Sequence, residues 1–506
     1  MPFIPQLALI LCFIVVKQYG VCDGDNAKEF KDMCLLLNLA TQKVPIPQLK
    51  SGASDSQTYV KTKQIQIMKS ILRLNVTVIE PQKEAVLKDV KTYPTVNEIN
   101  AKDAVKGYFE GITDDKLKEL RAEYAAGTLG EGKDETFVKD FSLPFSEITK
   151  AAIRKAIARQ YTAAVSVDKD ISEQSTAIHN AREAARRHLK KAVFGSQETA
   201  LADAAADDVN SDFGDVKAAG KLTFVGGSCD SGCNPNSAAA KTAGDGLALD
   251  LVCLCSGGDG AGTSAAKFCT KTALNGLEAI TTNDDGTIKT ANYKALIEKC
   301  RQQKEAAPLA LTPATLAAAA RSLTGHLGSN WRAGTAAAAS TGRAEKQNHY
   351  LGVHVYNGGT AATCNAETNN PHSTDTKGVC INYEHRFHSD EGISWMKEIN
   401  AAMGELQTIE SALSQQTAFI STLKELKAQM ENILLEAPLL ADTQTPTPNA
   451  ARSPKPVEEQ NKCKLKNATA EECPETDCNY DTKKQECKPK PGTEAPAAGT
   501  GGKSTG

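Results

Sequence analysis

The chain is predicted to be mostly α-helical: an elongated long-helix hairpin or coiled-coil bundle carrying a disulfide-rich irregular lobe, plus a small disulfide-stapled C-terminal domain. Three observations predict this. A heptad seam runs from Trp395 to Leu434, a second heptad pattern lies between Ser146 and Phe194, and the cysteines cluster where helical periodicity fades. Composition agrees: aromatics are 5% of residues and alanine is plentiful, as in Ala317 to Ala320 and Ala336 to Ala339. Such a sequence suits thin, closely packed helices rather than a thick core.

Stepping alternately by four and three from Trp395 gives Ile399, Ala402, Leu406, Ile409, Leu413, Gln416, Ile420, Leu423, Lys427, Met430 and Leu434, and ten of these twelve positions are apolar. A helix of that length extends roughly 60 Å at ~1.5 Å per residue. Gln416 and Lys427 interrupt the seam, and polar residues there set register or partner number. Phe419 and Leu426 widen the stripe, which implies more than one neighbouring helix. The seam is expected to be buried against a second copy, giving a homodimer, or within the subunit.

In the second region Ile171, Ile178 and Ala185 recur at heptad spacing and Leu189 follows by four. A shorter pattern covers Asn26 to Ala40, with Phe30, Met33, Cys34, Leu37 and Leu39 on one side. Tyr59 to Val90 reads as partly helical, interrupted by Pro81. Between about 195 and 390 glycine, asparagine and serine rise, and Lys221 to Cys233 and Asp245 to Thr263 read as loops and short strands.

Phe3 to Val16 is an apolar run too short to span a bilayer and is followed by Gly20, so residues 1–20 read as a secretory signal peptide. Cleavage there removes Cys12 of the fifteen cysteines and leaves an even fourteen. These are Cys22, Cys34, Cys229, Cys233, Cys253, Cys255, Cys269, Cys300, Cys364, Cys380, Cys463, Cys473, Cys478 and Cys487. An even, clustered set behind an export signal implies an oxidised extracellular protein in which all are disulfide-bonded. The six from Cys229 to Cys300 alone allow fifteen pairings. The helical N-terminal domain is placed at 21–438, with its disulfide-rich lobe at about 195–390. A Pro/Thr-rich flexible linker follows at 439–461. The C-terminal domain at 462–488 carries four cysteines spaced C-x9-C-x4-C-x8-C, too small to fold by burial alone. Residues 489–506 read as a disordered tail.

The net charge of −3 comes from 58 basic and 61 acidic residues, well mixed. No basic field is available to neutralise phosphates, which argues against a nucleic-acid partner. Gly257 to Ser264 has the glycine spacing of a phosphate loop, but Thr263 stands where the lysine belongs. Cys229, Cys233, Cys253 and Cys255 could form a four-thiolate zinc set, yet C-x-C spacing and secretion favour disulfides. His385 and His388 beside Glu384, and His349 with His354, lie in polar, turn-rich sequence and read as solvated loop histidines. Neither a G-x-S-x-G elbow nor an H-E-x-x-H helix occurs. No enzyme activity, cofactor or metal is expected. Two N-glycosylation sequons are present, at Asn75 and Asn467.

The order of these parts resembles the trypanosome variant surface glycoproteins. The matching pieces are Glu29-Phe30-x3-Cys34, Cys253-Leu254-Cys255 before a Gly-rich loop, Val379-Cys380-Ile381-Asn382-Tyr383, Trp395 opening the last long helix, and the terminal four-cysteine segment followed by Lys488-Pro-Lys-Pro-Gly492. The N-terminal domain resembles the class B type. The resemblance implies a homodimeric, glycosylphosphatidylinositol-anchored glycoprotein on the outer leaflet of the plasma membrane. It also implies a dense coat that meets host antibodies and mediates antigenic variation and immune evasion. A surface receptor of the same superfamily, binding a host serum ligand, is the alternative. The chain stops at Gly506 without the hydrophobic tail that anchor attachment needs, so an incomplete C-terminus is inferred, with Ser504 a candidate attachment residue.

Overall fold

The computed structural model describes residues 24–46, 56–127, 133–258, 267–272, 274–303, 309–333, 348–356, 361–365, 377–390 and 392–442, and the backbone of two strands at 478–481 and 486–489. Contacts divide the chain into two units, Met1–Asp442 and Thr443–Gly506.

The first unit opens with α1 (Ala27–Ala40) and α2 (Ser56–Val76). Pro81 does not break a helix but starts one, α3 (Pro81–Lys88), because proline at the first helical position loses no hydrogen bond. Short α4 (Val96–Asn100) is capped by Thr95, α5 (Asp114–Ala126) by Thr113 and short α6 (Glu135–Asp140) by Asp134. Each capping side chain accepts a first-turn N–H that the helix leaves unpaired. These pieces close a separate small core of Leu72, Val86, Leu87, Ile99, Leu117 and Tyr124.

The longest described elements are α7 (Glu147–Phe194) and, later, α14 (Ser394–Asp442), of 48 and 49 residues. Ser146 caps α7, accepting from the Thr149 N–H. Residues Ile157, Ala164, Ile171, Ile178, Ala185 and Ala192 recur every seven along α7 and are all buried. The two helices are antiparallel: His188 meets Glu398 at one level (2.6 Å), and Ile171 meets Gln416 at another. α2 lies against the half of this hairpin nearer the start of α7, with Gln64 on Asp168 and the Val78 carbonyl on Arg154.

At the other end sits the lobe. It holds α8 (Glu198–Leu201), α9 (Cys229–Cys233), α10 (Leu247–Cys255), α11 (Thr287–Gln302) and α12 (Pro313–Thr324), then β1 (Trp331–Ala333), β2 (Tyr350–Tyr356), β3 (Gly378–Asn382) and α13 (Glu384–Phe387). β2 is central, parallel to β1 and antiparallel to β3 with Gly352 opposite Cys380. Asp245 to Thr263 was expected to be loop and strand, and this is corrected: Leu247–Cys255 is a helix whose nine residues are all buried. A helix apolar on every side shows no 3.6-residue periodicity, so its type is not legible from the pattern.

The lobe docks on the hairpin where α7 ends. Gly195 terminates α7 with φ +58° and ψ −141°. A Cβ there would meet the Asp245 carbonyl oxygen at 2.7 Å. Gly246 closes the same contact from the other side, its Cβ position 2.6 Å from the Gly195 nitrogen. Gly195→Ala is therefore expected to destabilise the unit by about 2–4 kcal/mol, from backbone strain plus displaced chain. Urea unfolding followed by circular dichroism measures this, and a change under about 0.5 kcal/mol would contradict the close approach.

In the second unit β4 (Cys478–Asp481) pairs antiparallel with β5 (Glu486–Pro489), placing Tyr480 opposite Cys487. Cys463, Cys473 and Asn467 lie outside the described residues, as do Cys22, the 1–20 segment, most of the 439–461 linker and the 490–506 tail.

Candidate functional site

Two features organise the first unit, the hairpin seam and the braced lobe above it. Along α14 the seam residues Trp395, Ile399, Leu406, Ile409, Leu413, Ile420, Leu423, Met430 and Leu434 are all buried, none above 7% exposed. They are buried within a single chain, against α7, α2 and, near the lobe, α12. Of the two arrangements expected for this seam, against a second copy or within the subunit, the chain shows burial within the subunit. A pattern of apolar positions states that a helix has a partner but not whether that partner is the same chain, and α7 supplies it here.

Gln416 shows why the seam tolerates a polar residue. It is fully buried, its Nε2 donates to the Ile171 carbonyl and to Ser175 Oγ, and its Oε1 accepts from Gln57 Nε2 at 2.9 Å. One amide therefore ties α14 to α7 and α2. Sliding either neighbour would strand buried donors, at about 1–3 kcal/mol each, so this residue specifies register. Lys427 instead reaches outward to Glu431 at 3.4 Å.

Four disulfides brace the lobe: Cys34–Cys300, Cys233–Cys253, Cys255–Cys269 and Cys364–Cys380. The first joins α1 to α11 across 266 residues. Cys229 is buried at the start of α9. Three members of the conceivable thiolate set are thus oxidised, and among the described residues no group of three or more His, Cys, Asp or Glu is placed to hold a metal ion. Cys255–Cys269 closes the base of the glycine-rich loop, whose residues 259–266 are outside the described ones.

Polar locks that the sequence reading missed hold the lobe's centre. Asp250, fully buried on α10, accepts from Tyr383 OH (2.7 Å), Trp395 Nε1 (2.8 Å) and the Gly244 N–H (2.9 Å). A single carboxylate thereby joins α10 to the chain after β3 and to the first turn of α14. Arg386 lies beside it, donating to the Ala239 and Ala243 carbonyls and to Ser394 Oγ. Asn26 does similar work at the start of α1. Its Nδ2 donates to the Leu254 and Val379 carbonyls and its Oδ1 accepts from the Val353 N–H. One signal was available in sequence: Asp250 is the only charge in the apolar run Leu247 to Cys255. A charge inside a buried run must have partners.

The histidines differ from expectation as well. His349 and His354 were read as solvated; both are buried, flanking the Tyr350 ring at 4.5 and 4.6 Å between centroids. Strand pairing of β2 turns His354 inward, where Nδ1 faces the Gly352 carbonyl at 3.0 Å. That contact requires the proton on Nδ1. His385 and His388 belong to α13 and its end. Asn75 is half-buried at the last turn of α2, and Thr77 of its sequon is buried, its hydroxyl donating to the Leu74 carbonyl.

Two buried groups titrate in opposite senses. Burial pushes the Asp250 carboxyl up to about 6, against its three donors and Arg386. Burial pulls the His354 imidazole down to about 4, the Gly352 carbonyl partly resisting. Between pH ~4 and ~6 the folded chain keeps a proton on Asp250 that the unfolded chain has released, so stability falls as pH rises. Between pH ~4 and ~6.5 the unfolded chain protonates His354 where the folded chain does not, so stability rises with pH. The slopes oppose and nearly cancel. Replacing His354 with glutamine should expose the Asp250 slope: the wild-type and variant pH profiles should diverge by about 3 kcal/mol from pH 6.5 to 4, at 1.36 kcal/mol per pKa unit. Parallel profiles would show that His354 does not titrate in this range.

The fold and these contacts define a helical scaffold protein, a hairpin closed on its own seam and capped by a disulfide-braced lobe. A family model described as the trypanosomal VSG domain matches residues 8–425. The chain belongs to that family. It is also similar to variant surface glycoprotein ILTAT 1.21 of Trypanosoma brucei brucei, with 26% identity over 323 residues, which are 59% of this chain and 58% of that relative. The match thus spans a little over half of the relative's length. Among the described residues no helix is long and apolar enough to cross a membrane.

Proposed function

We propose that this chain is a non-enzymatic coat glycoprotein of the trypanosome surface. It is held in the outer leaflet by a glycosylphosphatidylinositol anchor, forms homodimers, and packs laterally into a dense layer that meets host antibody. Antigenic variation of that layer serves immune evasion. Membership of the VSG domain family supports this reading. The observation that carries it is the seam of α7 and α14, closed by Gln416 within one chain. A scaffold that satisfies its own core can present loops of varied sequence at the lobe without losing its fold. The domain division that goes with this reading is a signal at 1–20, a helical domain at 21–438, a linker at 439–461 and a four-cysteine domain at 462–488. Sugar is placed on Asn467 and Asn75, and Cys463, Cys473, Cys478 and Cys487 form two disulfides.

Phosphatidylinositol-specific phospholipase C applied to intact cells expressing the chain tests the reading. Release of the chain into the medium, as a species of twice the monomer mass by sedimentation, is expected. A chain that stays with the cells, or that never reaches the surface, would overturn it.

A further inference from the structure

Beside α1 and α11 lies a cleft of about 920 Å³. Its floor carries the apolar Leu35 and Leu39 of α1, Phe213 and Cys34 of the Cys34–Cys300 bridge, beside the polar Asn38 and Thr41. Its rim is cationic, carrying Lys31, Lys43, Lys271 and Lys299 with Arg301. Among the described residues that line it, Asp212 is the one carboxylate, and it is engaged by the Lys43 backbone N–H at 2.8 Å. Arg301 is neutralised by Asp215 at 2.9 Å. The four rim lysines have no ion pair among the described residues. That concentration of positive charge stands out on a chain whose net charge is −3. Elsewhere lysines are commonly matched, as at Lys88–Glu84, Lys116–Glu119 and Lys190–Asp207.

The apolar side chains of the floor and the lysine rim together specify a ligand with two ends. A bare inorganic anion would leave the floor empty, and a neutral hydrocarbon would leave the lysines without a partner. The volume falls within the range of about 300–1,000 Å³ typical of small-molecule clefts. We propose that this cleft binds one amphipathic carboxylate of the long-chain fatty-acid type, its hydrocarbon against Leu35, Leu39 and Phe213 and its carboxylate among the rim lysines. The inference does not depend on the coat reading, since it concerns one face of the folded chain.

The probe is cis-parinaric acid, whose fluorescence rises in an apolar site, titrated into the full chain, with its methyl ester as the uncharged counterpart. Saturable binding of one acid per chain is expected, weakening as salt is raised. The ester should bind at least about tenfold more weakly, the equivalent of one lost charge-assisted contact. The Lys31→Glu/Lys299→Glu double variant should weaken the acid by about tenfold or more and leave the ester unchanged. Leu35→Trp, which fills the floor, should abolish both, and thermal unfolding of each variant verifies that the fold is kept. Should Leu35→Trp unfold the chain, the lysine variant still decides. Absence of saturable binding, an ester as tight as the acid, or acid binding unmoved by the lysine variant would each overturn the assignment.

Discussion

Replacing Leu413 and Ile420 with aspartate is expected to abolish the folded helical unit. Both side chains face α7 and are no more than 7% exposed. Removing each from a packed seam costs about 2–5 kcal/mol, and each carboxylate then lies where no cation answers it. The sum matches or exceeds the ~5–15 kcal/mol that holds a typical domain together. The control is Ser414→Asp with Ser421→Asp, the same charges one position along on the exposed face. That variant should stay within about 0.5 kcal/mol per site of the parent. Far-ultraviolet circular dichroism and thermal unfolding of the two variants give the comparison. A seam variant with native helicity and an unshifted melting temperature would mean that α14 does not pack as described.

Trp395 carries the second large effect. It is fully buried at the first turn of α14, and its indole N–H donates to Asp250. Trp395→Ala should cost about 4–5 kcal/mol, chiefly from the cavity left by the ring. Trp395→Phe separates the two contributions. It keeps most of the apolar volume but withdraws one donor from a buried carboxylate, so the loss should be about 1.5–3 kcal/mol, the range for a hydrogen bond to a charged group. It should also raise the Asp250 titration above about 6, because one of the groups favouring the charged form is gone. Stability of the phenylalanine variant should therefore recover relative to the parent as pH falls toward about 6 from above, and hold level with further acidification. Equal losses for the two variants would place the whole effect in the hydrogen bond and refute the packing argument.

Both predictions act on residues whose roles were unequally visible in sequence. The seam from Trp395 to Leu434 was legible in full, because heptad spacing survives any choice of partner. So was the span of α7, bounded by Ser146 at its cap and Gly195 at its end. What spacing could not state was that the partner of α14 is α7 of the same chain. α10 was misread because burial on all sides erases periodicity, and α11 and α12 were passed over inside a segment rich in glycine and serine. α12 nevertheless carries its own start signal, a Thr312/Thr315 capping box with Pro313 at its first position. His354 was misjudged because strand pairing, not local polarity, turned it inward.

The sequence by itself determined the helical class, the two long amphipathic helices and the concentration of cysteines in one lobe. These are local or compositional properties, fixed by periodicity and residue type within short windows. Only the tertiary structure decided the disulfide partners, the closing of the seam within one chain, and the locks at Asp250, Asn26 and Gln416. The Cys34–Cys300 bridge, the seam and the locks join residues more than a hundred positions apart, as Asp250 and Trp395 are joined across 145. No local pattern encodes such a pairing. It is selected when the packed helices leave one buried acceptor facing the only donors within reach, a condition that exists only once the chain has folded.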